Sequence, residues 1–276
     1  MRRYPSPQTF VLLLALVWVA TATSTVSQAQ QGDVGVGVEL VLAVDASRSI
    51  DPDEQMIQRR GYAEAFRSPE VQSAILHGGW GRVAVTYVEW AGAWTQSVLV
   101  PWRLIDSKES AEAFAAEIEA SRLTSASRTS ISGAIDFSAG LFEQNGFSGE
   151  RQVIDISGDG PNNQGRGVTE AREAAIARGI TINGLPLMTN GSQYVGWGTI
   201  PDLDRYYAEC VIGGPGAFSI PVTSWDQFST AVRQKLVLEL AGRQPARNMV
   251  VRVQAPAPVD CLVGETIWNE RQRRWD

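Results

Sequence analysis

Apolar positions along this chain fall into short unbroken runs separated by amphipathic stretches of helical period. Val38 to Val44 (VELVLAV) is almost continuously apolar, the mark of a strand covered on both faces in a parallel sheet. It stops at Asp45-Ala46-Ser47-Arg48-Ser49. Asp51-Pro52-Asp53-Glu54 then starts a helix to about Phe66, with a capping aspartate, proline in the first turn and acids behind it. Arg82 to Glu89 alternates like a strand, Trp90 to Trp94 turns, and Thr95 to Trp102 returns, which predicts a hairpin. Ser107 to Ser121 reads as an amphipathic helix, and Ser130 to Phe142 as another after a polar loop. A third buried strand, Arg151 to Ile156, ends in Ser157-Gly158-Asp159-Gly160. A helix over Val168 to Arg178 stops at Gly179, and a strand over Ile180 to Leu187 runs into a Gly-rich loop. A short helix near Asp202 to Cys210, a last core strand over Ala217 to Val222 and a last helix over Ser224 to Leu240 complete the pattern.

Strands alternating with helices of about 10–15 residues predict an α/β domain. The expected fold is a Rossmann-like open, mostly parallel sheet with one antiparallel edge hairpin strand and helices on both faces. The expected boundaries are a flexible lead over 30–37, the domain over 38–242 and a C-terminal tail over 243–276, in which Met249 to Val253 offers an edge strand. Residues 1–29 read as a secretory signal peptide. Arg2 and Arg3 precede an apolar run, Phe10 to Ala20, of about eleven residues, short of the roughly 20 a membrane-spanning helix needs. Small-residue cleavage patterns follow, and an uncleaved anchor is the alternative. The mature chain is thus expected to be secreted or periplasmic, without a membrane span. Export changes the reading of Cys210 and Cys261: in an oxidising compartment they form a disulfide tying the tail to the domain, or else remain two unpaired thiols.

Composition narrows the chemistry. The chain has 276 residues, a formal net charge of −6 and one histidine, His77. A multi-imidazole zinc site is excluded, and no clustered basic face points to nucleic acid. Ligands of open α/β sheets bind beyond the carboxyl ends of the parallel strands. Three segments delivered to that edge carry hard oxygen donors: Asp45-x-Ser47-x-Ser49, Thr129-Ser130 and Asp159. Side chains two apart in a turning loop can aim at one point. Carboxylates and hydroxyls without imidazole or thiolate suit Mg²⁺, with Mn²⁺ or Ca²⁺ as alternatives, rather than zinc or copper.

A strand followed by DxSxS, a distant threonine and a strand followed by GDG together resemble the metal-ion-dependent adhesion site of von Willebrand factor type A domains. The order of elements over Val38 to Leu240 is similar as well. The resemblance implies that Ser47, Ser49 and Thr129 coordinate one divalent cation, and that Asp45 and Asp159 do so directly or through water. It implies a protein partner that presents an Asp or Glu carboxylate, and a last helix whose shift can accompany binding. Two departures stand out: Gly158 occupies a position where the family usually has threonine, and Ser127-Arg128 precedes Thr129 where glycines are common. Arg128 either reduces cation affinity or grips an acidic partner. The segments VTYVEWAG (Val85 to Gly92) and VIGGPGAF (Val211 to Phe218) further resemble an uncharacterised group of exported bacterial proteins with this domain.

Arg48, Trp90, Trp94, Arg128, Tyr194 and Trp197 are the candidate partner contacts, since Trp, Tyr and Arg anchor protein interfaces. Packing of the tryptophans on the sheet rim is the alternative. Enzyme readings are weaker. A phosphatase using the strand-end Asp45 as nucleophile needs an acid two residues on, where this chain has Ser47. There is no GxSxG elbow and no GxxxxGK[ST] loop. A metal-dependent hydrolase on the same ring, or a metal-free scaffolding domain, are the remaining alternatives to a non-enzymatic binding module.

Overall fold

Both faces of one strand must be buried for VELVLAV to be stable, and the structure supplies a cover for each. It is a computed structural model that describes Met1 and residues 32–189, 199–241 and 258–274. Contacts divide the chain into Met1–Gly32 and Asp33–Asp276, and every element below belongs to the second part. Strand β1 spans Val34–Asp45, so it begins inside the stretch expected as a lead. Helices α1 (Pro52–Arg67) and α2 (Pro69–Leu76) follow, then β2 (Val83–Trp90), β3 (Gln96–Ile105) and α3 (Lys108–Ala120). Next come α4 (Ile131–Gly140), β4 (Phe147–Gly158), α5 (Val168–Ala177) and β5 (Thr181–Pro186). The chain continues through α6 (Leu203–Tyr206), α7 (Phe228–Leu240) and α8 (Val263–Gln272).

The sheet order is β3-β2-β1-β4-β5, with β3 antiparallel to β2 and the other pairings parallel. The expected hairpin and mostly parallel sheet are therefore present. Val38, Leu40, Leu42 and Val44 point into one core, where α1, α2, α3 and α7 contribute Tyr62, Phe66, Ile75, Phe114 and Leu236. Val41 and Ala43 point the other way, toward Ile131, Ile135, Val168 and Tyr207. Alternate residues of a strand face opposite sides, so an almost unbroken apolar run is what two covers require. Asp51 caps α1 as its sequence signals, accepting from the Glu54 amide at 2.9 Å while Glu54 reaches back to the Asp51 amide.

Three expectations change. Ala217 to Val222 is not a continuous strand: it runs beside β5 and the residue after it with two isolated backbone pairings, Gly184 with Ser219 and Leu187 with Val222. Pro221 has no N–H to extend the ladder. Helix α2, capped by Ser68, was not anticipated, nor was α8 within the expected tail. Met249 to Val253 lie outside the described residues.

One feature of the first core is ionic. The Lys235 ammonium of α7, fully buried, pairs with Asp155 of β4 at 2.7 Å and with Glu239 one turn on. Asn183 of β5 donates to Glu239 at 2.8 Å, completing the bond from α7 to two strands. Burial, with Glu239 adding like charge, pushes the Asp155 carboxyl up to about 7 against the pull of Lys235. The folded chain thus holds a proton that an unfolded aspartate releases near pH 4. By linkage this stabilisation is complete below about pH 4 and is lost as the pH rises toward about 7. Thermal melts in EDTA should therefore fall more steeply over that window for wild type than for Asp155→Asn. Parallel curves would show that Asp155 carries no such proton.

Candidate metal centre

β1 delivers Asp45 to the carboxyl edge of the sheet, in register with Trp90 at the end of β2. The Asp45 side chain turns the chain at once: its Oδ1 accepts from the Ser47 amide at 2.7 Å. The Ser47 and Ser49 hydroxyls lie 2.9 Å apart, and Ser49 donates to Asp159 Oδ1 at 2.8 Å. Four of the five expected ligands thus form one chain of hydrogen bonds. Thr129 arrives on the loop before α4. Ala126 of that loop pairs with Ser47 and accepts from the Arg48 amide at 3.0 Å. The Ser130 amide donates to Ala91 at 2.7 Å, beside the end of β2. Asn163 fixes Thr129 from both sides, accepting from its amide at 3.0 Å and donating to its carbonyl at 2.8 Å.

The electrostatics are those of a site short of positive charge. Asp45, Ser47, Thr129 and Asp159 are buried, and Ser49 is exposed. Asp45 Oδ2 is buried without a hydrogen-bond partner. Burial first, then the nearby Asp159 carboxylate, raises the Asp45 carboxyl well above the ordinary range. Asp159 is pushed up to about 6, chiefly by burial, with the Ser49 hydrogen bond opposing and Glu54 adding like charge. A sealed carboxylate oxygen with no donor costs folding energy unless a proton or a cation reaches it. Among the described residues no group of three or more His, Cys, Asp or Glu gathers into a metal site. Any cation here would depend on the hydroxyls to complete its shell. The donors fit a hard divalent ion: two acids, three hydroxyls, no nitrogen or sulfur.

Gly158 explains one departure from the family pattern. A Cβ at this position would lie 2.9 Å from both Asp45 Oδ2 and the Tyr207 hydroxyl, and 3.3 Å from Trp90. The volume a threonine would need is filled by Tyr207 and Trp90, so the strand has room only for glycine.

The expected partner contacts divide. Arg48 is exposed, and Trp94 at the tip of the β2–β3 turn is 90% exposed. Trp90 is corrected: it is 1% exposed and packs in the second core with Val88 and Ile156. β2 is buried along its whole length, and its last residue is covered with the rest. Arg128 is half-buried and its guanidinium stacks on Trp268 of α8, 3.2 Å from the ring centroid. It adopts φ of +80°, the conformation the glycines of the family pattern would take without strain. Tyr194 and Trp197 lie outside the described residues. Cys210 and Cys261 form a disulfide. Asn162 and Asn163, which organise the loops around Thr129, had no signal in the sequence beyond following Asp159 closely. His77 ends α2, with its Nδ1 beside Ser73.

A family model described as "Protein of unknown function (DUF1194)" matches residues 35–244. Among curated proteins none matches the sequence. Solved structures are similar in fold. Proximal thread matrix protein 1 from the mussel byssus, in a form with a zinc-occupied MIDAS motif, aligns at TM-score 0.55 and 17% identity. The alignment covers 76% of this chain and 49% of that one, so the chain spans about half its length. The von Willebrand factor type A protein of Catenulispora acidiphila aligns at TM-score 0.52 and 13% identity, over 75% of this chain and 43% of that one. The pilus adhesin SpaC of Lactobacillus rhamnosus GG aligns at TM-score 0.53 and 11% identity, over 76% and 32%. At these identities the likeness establishes the architecture, which is that of a von Willebrand factor type A domain. With most of its length under one family model, the chain belongs to the family described as protein of unknown function DUF1194.

Proposed function

We propose that this protein is an exported, non-enzymatic binding module that holds one divalent cation, Mg²⁺ by preference, and uses it to engage a carboxylate of a partner protein. The observation that carries the reading is Asp45 Oδ2, sealed and unpartnered beside Asp159 at the end of the Ser47–Ser49 relay. Asp45, Ser47, Ser49, Thr129 and Asp159 would hold the ion. Two carboxylates only neutralise a divalent charge, and the ion would supply a hard positive centre at the rim that an outside carboxylate can meet. Zinc in the mussel protein's MIDAS motif supports a divalent cation in this fold, and the adhesin likeness supports protein binding.

This chain's own residues then divide the work. Asp45 and Asp159 supply charge, Ser49 orients Asp159, and Asn163 sets the height of Thr129. Arg48 and Trp94 remain on the surface, where a cation and an indole suit an acidic segment flanked by apolar residues. Among the described residues no helix is long and apolar enough to cross a membrane. Export rests on the leader pattern of residues 1–29, and the disulfide supports an oxidising compartment.

The test is capture of partners from envelope extract with Mg²⁺, with EDTA, and with Trp94→Ala. A partner retained with Mg²⁺ and lost with EDTA is the expected result. Trp94→Ala should weaken capture by about tenfold, the range of an aromatic anchor, with its melting temperature unchanged. Capture indifferent to EDTA would remove the metal from the binding step.

A further inference from the structure

Helix α8 lies beyond the stretch matched by the family model, yet it is built into the rim of the candidate metal centre. Three contacts dock it there. Its first turn packs backbone against backbone: a Cβ at Gly264 would overlap the Asn162 carbonyl. Glu265 Oε1 accepts from Asn162 Nδ2 at 2.7 Å. Trp268 receives the guanidinium of Arg128. The entry to the helix is pinned as well, through the Cys210–Cys261 disulfide and the Val259 amide on Glu209 at 2.8 Å.

The residues it grips are those that place two of the five donors. Arg128 immediately precedes Thr129. Asn162 stands three residues after Asp159, is fully buried, and ties the turn in four directions. It donates from its amide to the Tyr206 hydroxyl at 3.1 Å and from Nδ2 to Arg166 at 3.2 Å. Its Oδ1 accepts from the Ser132 amide of α4 at 3.0 Å, and Glu265 is the fourth partner. Asn163, next in line, carries the paired bonds to Thr129. Ile267, Trp268 and Arg271 line one crevice with Pro161 and Asn163, so the helix face and the turn are in direct contact.

We propose that α8 is a disulfide-held buttress of the metal centre, in which Gly264, Glu265 and Trp268 position the loops that carry Thr129 and Asp159. The inference rests on the metal reading above and deepens it. Glu265 and Trp268 are positioning residues: they touch Asn162 and Arg128, not the ion. The disulfide closes a loop of sequence separation 51 and keeps the helix near its seat when the noncovalent contacts open. Outer residues that orient metal ligands are worth about 10–100-fold in metal affinity.

The test is calorimetric titration of the oxidised, full-length mature chain with Mg²⁺, for wild type, Gly264→Ala, Glu265→Ala and Glu265→Gln. Amide hydrogen exchange at Thr129 and Asn163 is followed in each. Gly264→Ala and Glu265→Ala should weaken Mg²⁺ binding by about tenfold and speed exchange at both amides. Glu265→Gln keeps an acceptor for Asn162 and should stay within about twofold of wild type, by the same reasoning. Equal, measurable affinities in all four proteins would overturn the buttress and leave the metal centre standing. No heat with wild type would overturn the metal reading and the buttress with it.

Discussion

Above about pH 7, where Asp155 is ionised, replacing Lys235 by methionine is expected to lower the unfolding free energy by about 3–5 kcal/mol, because removing one partner of a buried ion pair strands the other. Asp155 and Glu239 are 2% and 0% exposed at their side chains, so water cannot take over the role of the ammonium. Methionine matches much of the volume, which separates the charge effect from a cavity. For a domain of this size the loss corresponds to roughly 6–20 °C in melting temperature, at about 2–4 °C per kcal/mol. A loss below about 1 kcal/mol in chemical denaturation would contradict the assignment of these charges to the cooperative core. The contact also bears on movement. Lys235 and Glu239 fasten α7 to β4 and β5, and Phe228 of α7 sits against Gly61 of α1, where a Cβ would come within 2.5 Å of the ring. A shift of α7, as the resemblance implies for binding, has to carry these bonds along or break them.

Asp45→Asn should act in two opposite ways. In EDTA the variant should be more stable than wild type by about 1–3 kcal/mol, because its neutral amide removes a buried negative charge and puts a donor where wild type has a buried acceptor atom left without a partner. Asp45 Oδ2 is such an atom, and the nearby Asp159 adds like charge to it. With Mg²⁺ at a hundredfold excess over its Kd, wild type should gain about 2.7 kcal/mol and the variant almost nothing. The order of stability would then reverse between the two conditions. Thermal melts of both proteins with EDTA and with Mg²⁺ decide it. A variant less stable in EDTA would mean that Asp45 holds the fold together, not that it waits for a cation.

Much of this was readable before the structure because the signals are local. The Asp51–Glu54 cap and the DxSxS turn are written in residues two or three apart, and backbone chemistry converts such spacing into geometry directly. The apolar run of β1 gave the sheet, and its mostly parallel character followed from alternation with helices. What escaped depended on distant contacts. Trp90 looked like a rim residue because it begins a turn, yet it ends a strand buried along its whole length, in register with Asp45. Arg128 was weighed as a partner contact because Trp268, 140 positions later in numbering, could not be foreseen beneath it. Helix α8 carries only Gly264 fully inside, so its pattern is faint without the disulfide and the turn at Asn162 that seat it. The break over Ala217 to Val222 is legible in Pro221, which has no N–H to give a ladder.

In the proposed function, five oxygen donors share one ion at the rim of the sheet. Calorimetric titration of metal-free oxidised protein with Mg²⁺, with Zn²⁺ as a parallel arm, tests it most directly. A saturable heat of one ion per chain in wild type, abolished in Asp159→Ala, is the predicted result. Identical titrations of the two proteins, whether both bind or neither does, would contradict it.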